Sequence, residues 1–237
     1  MKRIKLLSAL LFIIICTQGT GSAITLIDNS TLGWYNDNLG TILDGTNPAT
    51  DDYGVSNFLF PLADAYLTYD PTFNSGLSSA PDLSTVDGPT GILGNWLNNN
   101  PASLNGNWSP NQIAIPSAWA VNTETAIIYE FDAGATGLTN FDITFNVDNG
   151  LFVWLDGVFL NGWLAPGGPG TWAEYNYNLS SISGGKHYLQ VLREDHGANR
   201  GYYIDVTGNE APVPEPATML LFGMSFLGLL GFKKIRK

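Results

Sequence analysis

The chain has 237 residues, with 10 Lys or Arg, 21 Asp or Glu and a single cysteine. Seven of the ten basic residues lie in the first five and last five positions, so residues 24–216 carry three cations against 21 carboxylates, a formal net charge of −18. Such an acidic surface repels phosphate backbones, which excludes nucleic acid as a partner.

The N-terminal segment has the pattern of a secretory signal peptide. Basic residues precede an apolar run at positions 6–16, and Gly21-Ser22-Ala23 provides the small residues of a cleavage site. We therefore predict that residues 1–23 are a signal peptide and that the mature chain begins at Ile24. The only cysteine lies in the removed segment, so the mature protein has neither a disulfide nor a thiolate for metal binding or catalysis.

The middle of the chain has the pattern of an all-β domain. Residues 24–110 are rich in turn-forming residues, with short apolar clusters between them. Apolar patterning then predicts strands at 113–115, 126–131, 141–147, 151–155, 158–160, 187–192 and 202–206. No segment of the mature domain has a convincing amphipathic helical pattern. We predict one ectodomain over residues 24–210, a single antiparallel β-sandwich of the jelly-roll type.

Two turn signals stand close together in the middle of this domain. Asn149-Gly150 and Asp156-Gly157 both suit type I′ turns, and they predict a three-stranded meander. With Trp163, this segment resembles the carbohydrate-associated β-sandwich of the protective-antigen type. In that family an acidic pair before a glycine helps to bind calcium beside a sugar. Here Asn149 replaces the second acid, and turn chemistry alone is the alternative explanation.

Calcium is the metal that the acidic loops would suit, because it prefers hard oxygen ligands. Positions 193–197, Arg-Glu-Asp-His-Gly, follow a predicted strand and hold most of the charge variety of the mature domain. The calcium candidates are Asp148, Asp156, Glu194 and Asp195. A structural role is the alternative, in which Arg193 pairs with a carboxylate and His196 caps a loop. A zinc site rich in histidine is excluded, because the chain has only two histidines.

Seven tryptophans are the other group that could bind a ligand. Sugar rings stack their C–H faces on indoles, while Asn, Asp and Gln bind the sugar hydroxyls. Trp163 and Trp172 bracket the Pro- and Gly-rich segment 166–170, and we predict that they expose a glycan-binding platform. Burial in the core is the alternative for each. Trp154 lies in an apolar run and is predicted to be a core residue.

The C-terminal residues combine three features in succession. Pro214-Glu215-Pro216 favours an extended backbone. The uncharged residues 217–232 would form a helix of roughly 24 Å, and four cations follow, which places the end of the chain in the cytoplasm. This arrangement resembles the PEP-CTERM sorting signal of Gram-negative bacteria. An uncleaved membrane anchor is the alternative.

That resemblance has several implications. Residues 211–237 would form the sorting signal, and its transmembrane helix would anchor the exported protein in the inner membrane. Exosortase, a membrane protease, would then cut at the tripeptide Pro214-Glu215-Pro216 and release the ectodomain to the cell surface or the extracellular matrix. Segments around 123–126, 148–150 and 193–197 also resemble, as a set, the ectodomains often attached to such tails.

We therefore expect an exported, non-enzymatic protein of the cell surface or extracellular matrix, associated with exopolysaccharide or biofilm and contacting glycans. One alternative is a calcium-dependent carbohydrate-binding module. Another is a glycan-active hydrolase that uses paired carboxylates, for which Glu124, Glu130, Asp148, Glu174 and Asp195 are conceivable. The mature chain has no Gly-x-Ser-x-Gly elbow for a serine nucleophile.

Overall fold

The described part of the chain consists of β-strands and the turns that join them. A computed structural model describes residues 22–40, 80–120, 123–164, 175–194 and 201–211, apart from positions 82, 84, 85, 99, 100, 102, 103, 106 and 149. The strands are β1 (Ala23–Ile27), β2 (Leu32–Gly40), β3 (Ile113–Ala114), β4 (Glu124–Asp132), β5 (Leu138–Asp148), β6 (Gly150–Leu155), β7 (Val158–Leu164), β8 (Tyr175–Ile182), β9 (Lys186–Glu194) and β10 (Gly201–Glu210). Ser22–Glu210 form one compact unit.

The predicted targeting segments, apart from Ser22 and Ala23, belong to a second unit, Met1–Gly21 with Ala211–Lys237. Apart from Ala211 this unit lies outside the described residues, and so do the Pro-Glu-Pro tripeptide and the predicted transmembrane helix. Among the residues that the structure does describe, no helix has the length and apolar character needed to cross a membrane.

The strands form two antiparallel sheets, which confirms the all-β prediction. One sheet has four strands in the order β1-β10-β5-β8, and the other has six in the order β3-β2-β4-β9-β6-β7. All seven strands predicted from the sequence are present. The sequence did not indicate β1, β2 and β8. In β8 the tyrosines alternate with asparagines in a period of two, but asparagine is depleted in strands, and the strand was missed.

The predicted three-stranded meander is wrong in one of its two turns. Strands β5 and β6 belong to different sheets, so the end of β5 and the start of β6 are not the two arms of a hairpin. The Asp156-Gly157 hairpin is confirmed, because β6 pairs with β7 and the two turn residues have φ values of 52° and 75°. Glycine is required at 157, since a Cβ there would lie 2.3 Å from the carbonyl oxygen of Leu97.

Apolar clusters cover both faces of the six-stranded sheet. Along β4, Ile127 and Tyr129 belong to a first cluster that also contains residues of the four-stranded sheet, such as Phe145. Ile128, on the opposite face of β4, belongs to a second cluster with residues contributed by the segment 83–96. This segment, which the sequence showed only as turn-rich, therefore covers the outer face of the sheet. Burial on both sides explains why the central strands are continuously apolar.

The outer face of the four-stranded sheet is polar. On β5, the buried Phe141 and Ile143 alternate with the partly exposed Asp142 and Thr144, as the period of two predicted. Across from Asp142, the exposed Asn178 lies on the edge strand β8.

Candidate functional site

An open groove lies where β2 and β3 form the edge of the six-stranded sheet. Its volume is about 700 Å³. The described residues that line it are Leu32, Trp34, Pro101, Leu104, Trp108, Ser109, Pro110, Asn111 and Gln112. None of these side chains is charged, and none is a histidine. The lining therefore combines aromatic and apolar surface with amide and hydroxyl groups, without a general acid or base.

Trp34 forms one aromatic wall of the groove because of the alternation along β2. Tyr35 faces the first cluster, so Trp34 faces the other side of the sheet, where it packs against the second cluster. The neighbouring Asn36 is fully buried on that same side, and its amide nitrogen donates to the carbonyl oxygen of Ile92 at 3.1 Å. Trp34 itself is only half-buried, which leaves part of its indole for a ligand.

Trp108 forms the second aromatic wall and is fixed at two points. Its indole nitrogen donates to the carbonyl oxygen of Leu93 at 2.9 Å. Its ring stacks on the buried Trp96, with centroids 6.2 Å apart and planes inclined by 26°. Trp108 is also half-buried. Since its N–H is already bonded inside the protein, Trp108 offers a ligand only the surface of its ring.

Ser109 joins the two aromatic walls. Its backbone nitrogen donates to the carbonyl oxygen of Tyr35 at 2.8 Å, and the nitrogen of Tyr35 donates back to the Ser109 hydroxyl at 3.0 Å. The same hydroxyl donates to the carbonyl oxygen of Asn111 at 2.8 Å. These bonds hold the segment that carries Trp108 directly against the strand that carries Trp34. A preformed groove of this kind loses little conformational entropy when it binds a ligand.

Trp163 was predicted to be a sugar platform, but the structure places it in the core. Only 5% of the residue is exposed, and it belongs to the cluster shared by the two sheets. Its ring stacks on Tyr175 at 5.8 Å and contacts Phe145 at 6.2 Å. This indole therefore presents no face to a sugar. Trp172 lies outside the described residues, and Trp154 is a core residue as predicted, with 2% exposed.

The four predicted calcium ligands do not form one site. Asp148 precedes β6 and Asp156 directly follows it, so the six residues of β6 separate them by more than about 15 Å. Ligands of one calcium ion lie about 2.3 to 2.6 Å from the metal, which excludes a shared ion. The side chain of Glu194 and the whole of Asp195 lie outside the described residues. Within the described part of the chain, no three His, Cys, Asp or Glu residues are grouped as metal ligands.

Both carboxylate oxygens of Asp156 already have partners. Oδ1 accepts from the backbone nitrogen of Tyr188 at 2.9 Å, and Oδ2 lies 2.6 Å from Nδ1 of His187. The other ring nitrogen of His187 lies 2.9 Å from the carbonyl oxygen of Ser183. Because a carboxylate and a carbonyl both accept, the ring carries a hydrogen on each nitrogen when both bonds are made. This arrangement ties the β6–β7 turn to the turn before β9.

Among the described residues, the partners of Arg193 are aromatic rings and neutral acceptors, and no carboxylate is paired with it there. It is fully buried, and it donates to Thr125 Oγ1 at 2.7 Å and to the carbonyl oxygen of Pro116 at 2.9 Å. Its guanidinium carbon lies 4.0 Å from the ring centroid of Trp119 and 4.5 Å from that of Tyr202. Burial lowers the pKa of Arg193, while the hydroxyl of Tyr35 opposes that shift. Nothing in the sequence distinguished this residue from a surface cation.

Of the five carboxylates considered for hydrolysis, the three that the structure describes do not line the groove. Glu124 and Asp148 have 1% and 2% exposed surface. Glu130 accepts from Lys186 at 2.7 Å. Glu174 and Asp195 lie outside the described residues.

The fold and the groove define an all-β protein of two antiparallel sheets with an uncharged aromatic groove at one sheet edge. Residues 212–237 of this protein match the PEP-CTERM protein-sorting motif. The chain therefore carries this sorting signal, as the tripeptide, the apolar stretch and the basic end predicted. The motif indicates an exported protein that is processed at the membrane, and it implies recognition by exosortase.

No curated protein sequence matches the chain. Similar solved structures include an uncultured Clostridium sp. β-glucuronidase, with 8% identity and a TM-score of 0.38, over 80% of this chain and 29% of that one. Another is Bifidobacterium dentium β-glucuronidase complexed with coumarin-3-O-glucuronide, with 12% identity and a TM-score of 0.35, over 82% and 31%. The chain thus spans about three tenths of the length of these structures. At such TM-scores the likeness carries no argument about activity.

Proposed function

We propose that the protein is a non-enzymatic component of the cell surface or extracellular matrix, and that its folded part binds a glycan in the groove between Trp34 and Trp108. The observation that carries this proposal is the pair of half-buried indoles held firmly beside amide side chains in an uncharged groove. Export itself follows from the sorting motif.

The chemistry of the lining favours a sugar over a purely apolar ligand. A sugar ring has an apolar C–H face and a rim of hydroxyls, so it needs an aromatic surface and neutral hydrogen-bonding groups together. Trp34 and Trp108 supply the first, while Asn111 and Gln112 supply amides that both donate and accept. The groove is also open, which suits a polymer that continues beyond the site.

Binding without hydrolysis is favoured because the described residues of the groove include no acid–base pair. Most glycoside hydrolases place two carboxylates on either side of the scissile bond. The described lining contains no carboxylate, while Glu124 and Asp148 are buried away from solvent. We therefore propose that any glycan leaves this groove unchanged.

We further propose that the two sheets pack as a jelly-roll sandwich. Two observations support this. Both sheets contribute residues to one buried cluster. Without β2 and β3, the strand orders are β1-β10-β5-β8 and β4-β9-β6-β7, which is the arrangement of two Greek keys in an eight-stranded jelly roll. The groove then lies on the two strands that are added to this framework.

Proteolytic processing of the C-terminal signal would determine where the protein encounters its glycan. We propose that an exosortase-type protease of a Gram-negative bacterium cuts at Pro214-Glu215-Pro216 and frees the ectodomain from its inner-membrane anchor. The released protein would then associate with exopolysaccharide. Intact-mass analysis of the surface-released protein should show a C-terminus near Glu215, and recovery of the full-length, membrane-embedded form alone would contradict this step.

Mutation of the groove tests the glycan proposal. The secreted protein would be screened on a glycan array and by retention in polysaccharide gels. Trp108→Ala should reduce retention by about tenfold or more. Gln112→Ala should reduce it by about fivefold, which corresponds to the loss of one neutral hydrogen bond. The matched control is Tyr203→Ala, which removes a partly exposed aromatic ring from the outer face of the other sheet.

Melting curves would be recorded for each variant, because Trp108 also packs against the second cluster. Gln112→Ala keeps the test decisive if Trp108→Ala fails to fold. Equal losses of retention in the Gln112 and Tyr203 variants would contradict the assignment of the groove.

A further inference from the structure

We infer that the groove selects uncharged glycan chains and excludes chains that carry carboxylate or sulfate groups. This inference rests on the proposed glycan-binding function and adds to it the chemical class of the ligand. It comes from the placement of the cations in the mature chain and from the lining of the groove.

An anionic sugar would find no opposite charge among the described residues of the groove. Anions bound to proteins are usually held by Arg or Lys, by a metal ion or by several backbone N–H groups. The lining has no such cation. The indole N–H of Trp108 and the backbone N–H of Ser109 are already bonded to carbonyl oxygens of the protein. A carboxylate moved into this groove would lose hydration, and only neutral groups such as the amides of Asn111 and Gln112 could compensate for that loss.

The two described cations elsewhere in the mature chain do not supply this missing charge. Lys186 lies 2.7 Å from Glu130, and Arg193 is buried between aromatic rings. Arg200 is the third cation and lies outside the described residues. These three are set against 21 carboxylates, a formal net charge of −18 for residues 24–216. The protein as a whole therefore repels a polyanion.

At physiological salt, the groups that contact the ligand affect binding more than this long-range repulsion does. The Debye length there is about 8 Å, so distant carboxylates are largely screened. The lack of a cation at the point of contact is not changed by screening. Selectivity should therefore depend on the lining itself, and Gln112 is the lining residue whose replacement by a cation tests this most directly.

The test compares polysaccharides that differ only in charge. Neutral glucan, mannan and galactan preparations would each be paired with a derivative oxidised at C6 to the uronate, and binding to the secreted protein would be measured by titration calorimetry. We expect the neutral member of the recognised pair to bind at least about tenfold more tightly than its oxidised partner. Equal or tighter binding of the oxidised member would overturn the inference and leave the glycan-binding function standing. Binding of no member would overturn the function itself, and the inference with it.

A cation placed in the groove should relax the selection. Gln112→Lys should improve binding of the oxidised polymer by about fivefold or more, because it supplies the missing counter-charge. The matched control is Asn178→Lys, which makes the same change of charge at an exposed position of β8 in the other sheet. If both variants improve binding equally, net charge accounts for the effect, and the assignment of the selection to the groove is overturned.

Discussion

The carboxylate of Asp156 lies 2.6 Å from the Nδ1 atom of His187, in a pair that joins the turn between β6 and β7 to the first residues of β9. His187 is buried and stacks on Phe131 with ring centroids 5.6 Å apart. An aspartate that the sequence suggested as a metal ligand therefore has a structural partner. Its position in a type I′ turn places both of its oxygens toward β9.

Asp156→Asn should lower stability because it weakens a charge-assisted hydrogen bond. Such bonds contribute about 1.5 to 3 kcal/mol, and the variant should lose roughly that much free energy of unfolding. Chemical denaturation of the secreted protein measures it. Glu210→Gln, at an exposed carboxylate on the last residue of β10, serves as the control and should change stability by less than about 0.5 kcal/mol. A loss no greater than that of the control would show that the pair with His187 adds nothing.

Trp163→Ala should destabilise the whole domain. The ring packs against Tyr175 and Phe145 in the core shared by both sheets, and truncation of such a ring costs about 3 to 5 kcal/mol. Tyr203→Ala, which truncates a partly exposed ring, should cost much less. The comparison is made by thermal melting of the two variants. A Trp163 variant that melts like the wild type would mean that the ring lies outside the core.

The sequence predicted the strands that have clear apolar patterns and missed those that do not. Strands with alternating Phe, Ile and Val, such as β5, were found within a few residues of their true ends. The polar strand β8 was missed although Tyr175, Tyr177 and Leu179 alternate with polar residues, because asparagine is depleted in strands. The sequence also did not indicate which sheet each strand joins, because the residues at 149–150 suit a hairpin as well as a crossing between sheets.

The sequence did not reveal the candidate groove either, because its two aromatic residues are far apart along the chain. Trp34 and Trp108 are 74 positions apart, and the hydrogen bonds between Ser109 and Tyr35 bring them to the same groove. Glycines and prolines around Trp163 suggested an exposed loop, whereas β7 continues through that residue to Leu164 and buries it. A tryptophan followed by Ser-Pro-Asn-Gln at 108–112 was the available signal, since it places an aromatic ring beside amides.

Of the four calcium candidates, Asp148 lies near the backbone of Glu194, because Gly150 is paired with Glu194 in the six-stranded sheet. We predict that millimolar calcium raises the melting temperature more than sodium chloride of equal ionic strength, because binding to the native state stabilises it by mass action. Asp156→Asn should keep the full calcium shift, since Asp156 lies at the other end of β6. An identical response to both salts would mean that the stabilisation is screening alone.

High pH should unfold the protein through its buried tyrosines. Burial raises the pKa of Tyr129 to about 12, while its hydrogen bond with Tyr202 and the nearby Arg193 oppose that shift. Burial also raises the pKa of Tyr202 well above its usual value of 10.0. The folded state thus holds these phenolic protons more tightly than the unfolded chain does. Stability should be complete below about pH 10 and should fall as the pH rises toward about 12, by on the order of 3 kcal/mol for Tyr129 alone.

Ultraviolet absorbance of tyrosinate measures the ionisation of the tyrosines. Melting temperatures recorded through the same pH range measure the loss of stability. Tyr129→Phe should remove part of the alkaline loss, because one of the two buried phenols can no longer ionise. Tyr203→Phe, which alters a phenol on the outer face of the four-stranded sheet, should leave most of that loss in place. Ionisation of every tyrosine near pH 10 without any loss of folded structure would contradict the burial of Tyr129 and Tyr202, since a buried tyrosinate beside a single cation would be strongly disfavoured.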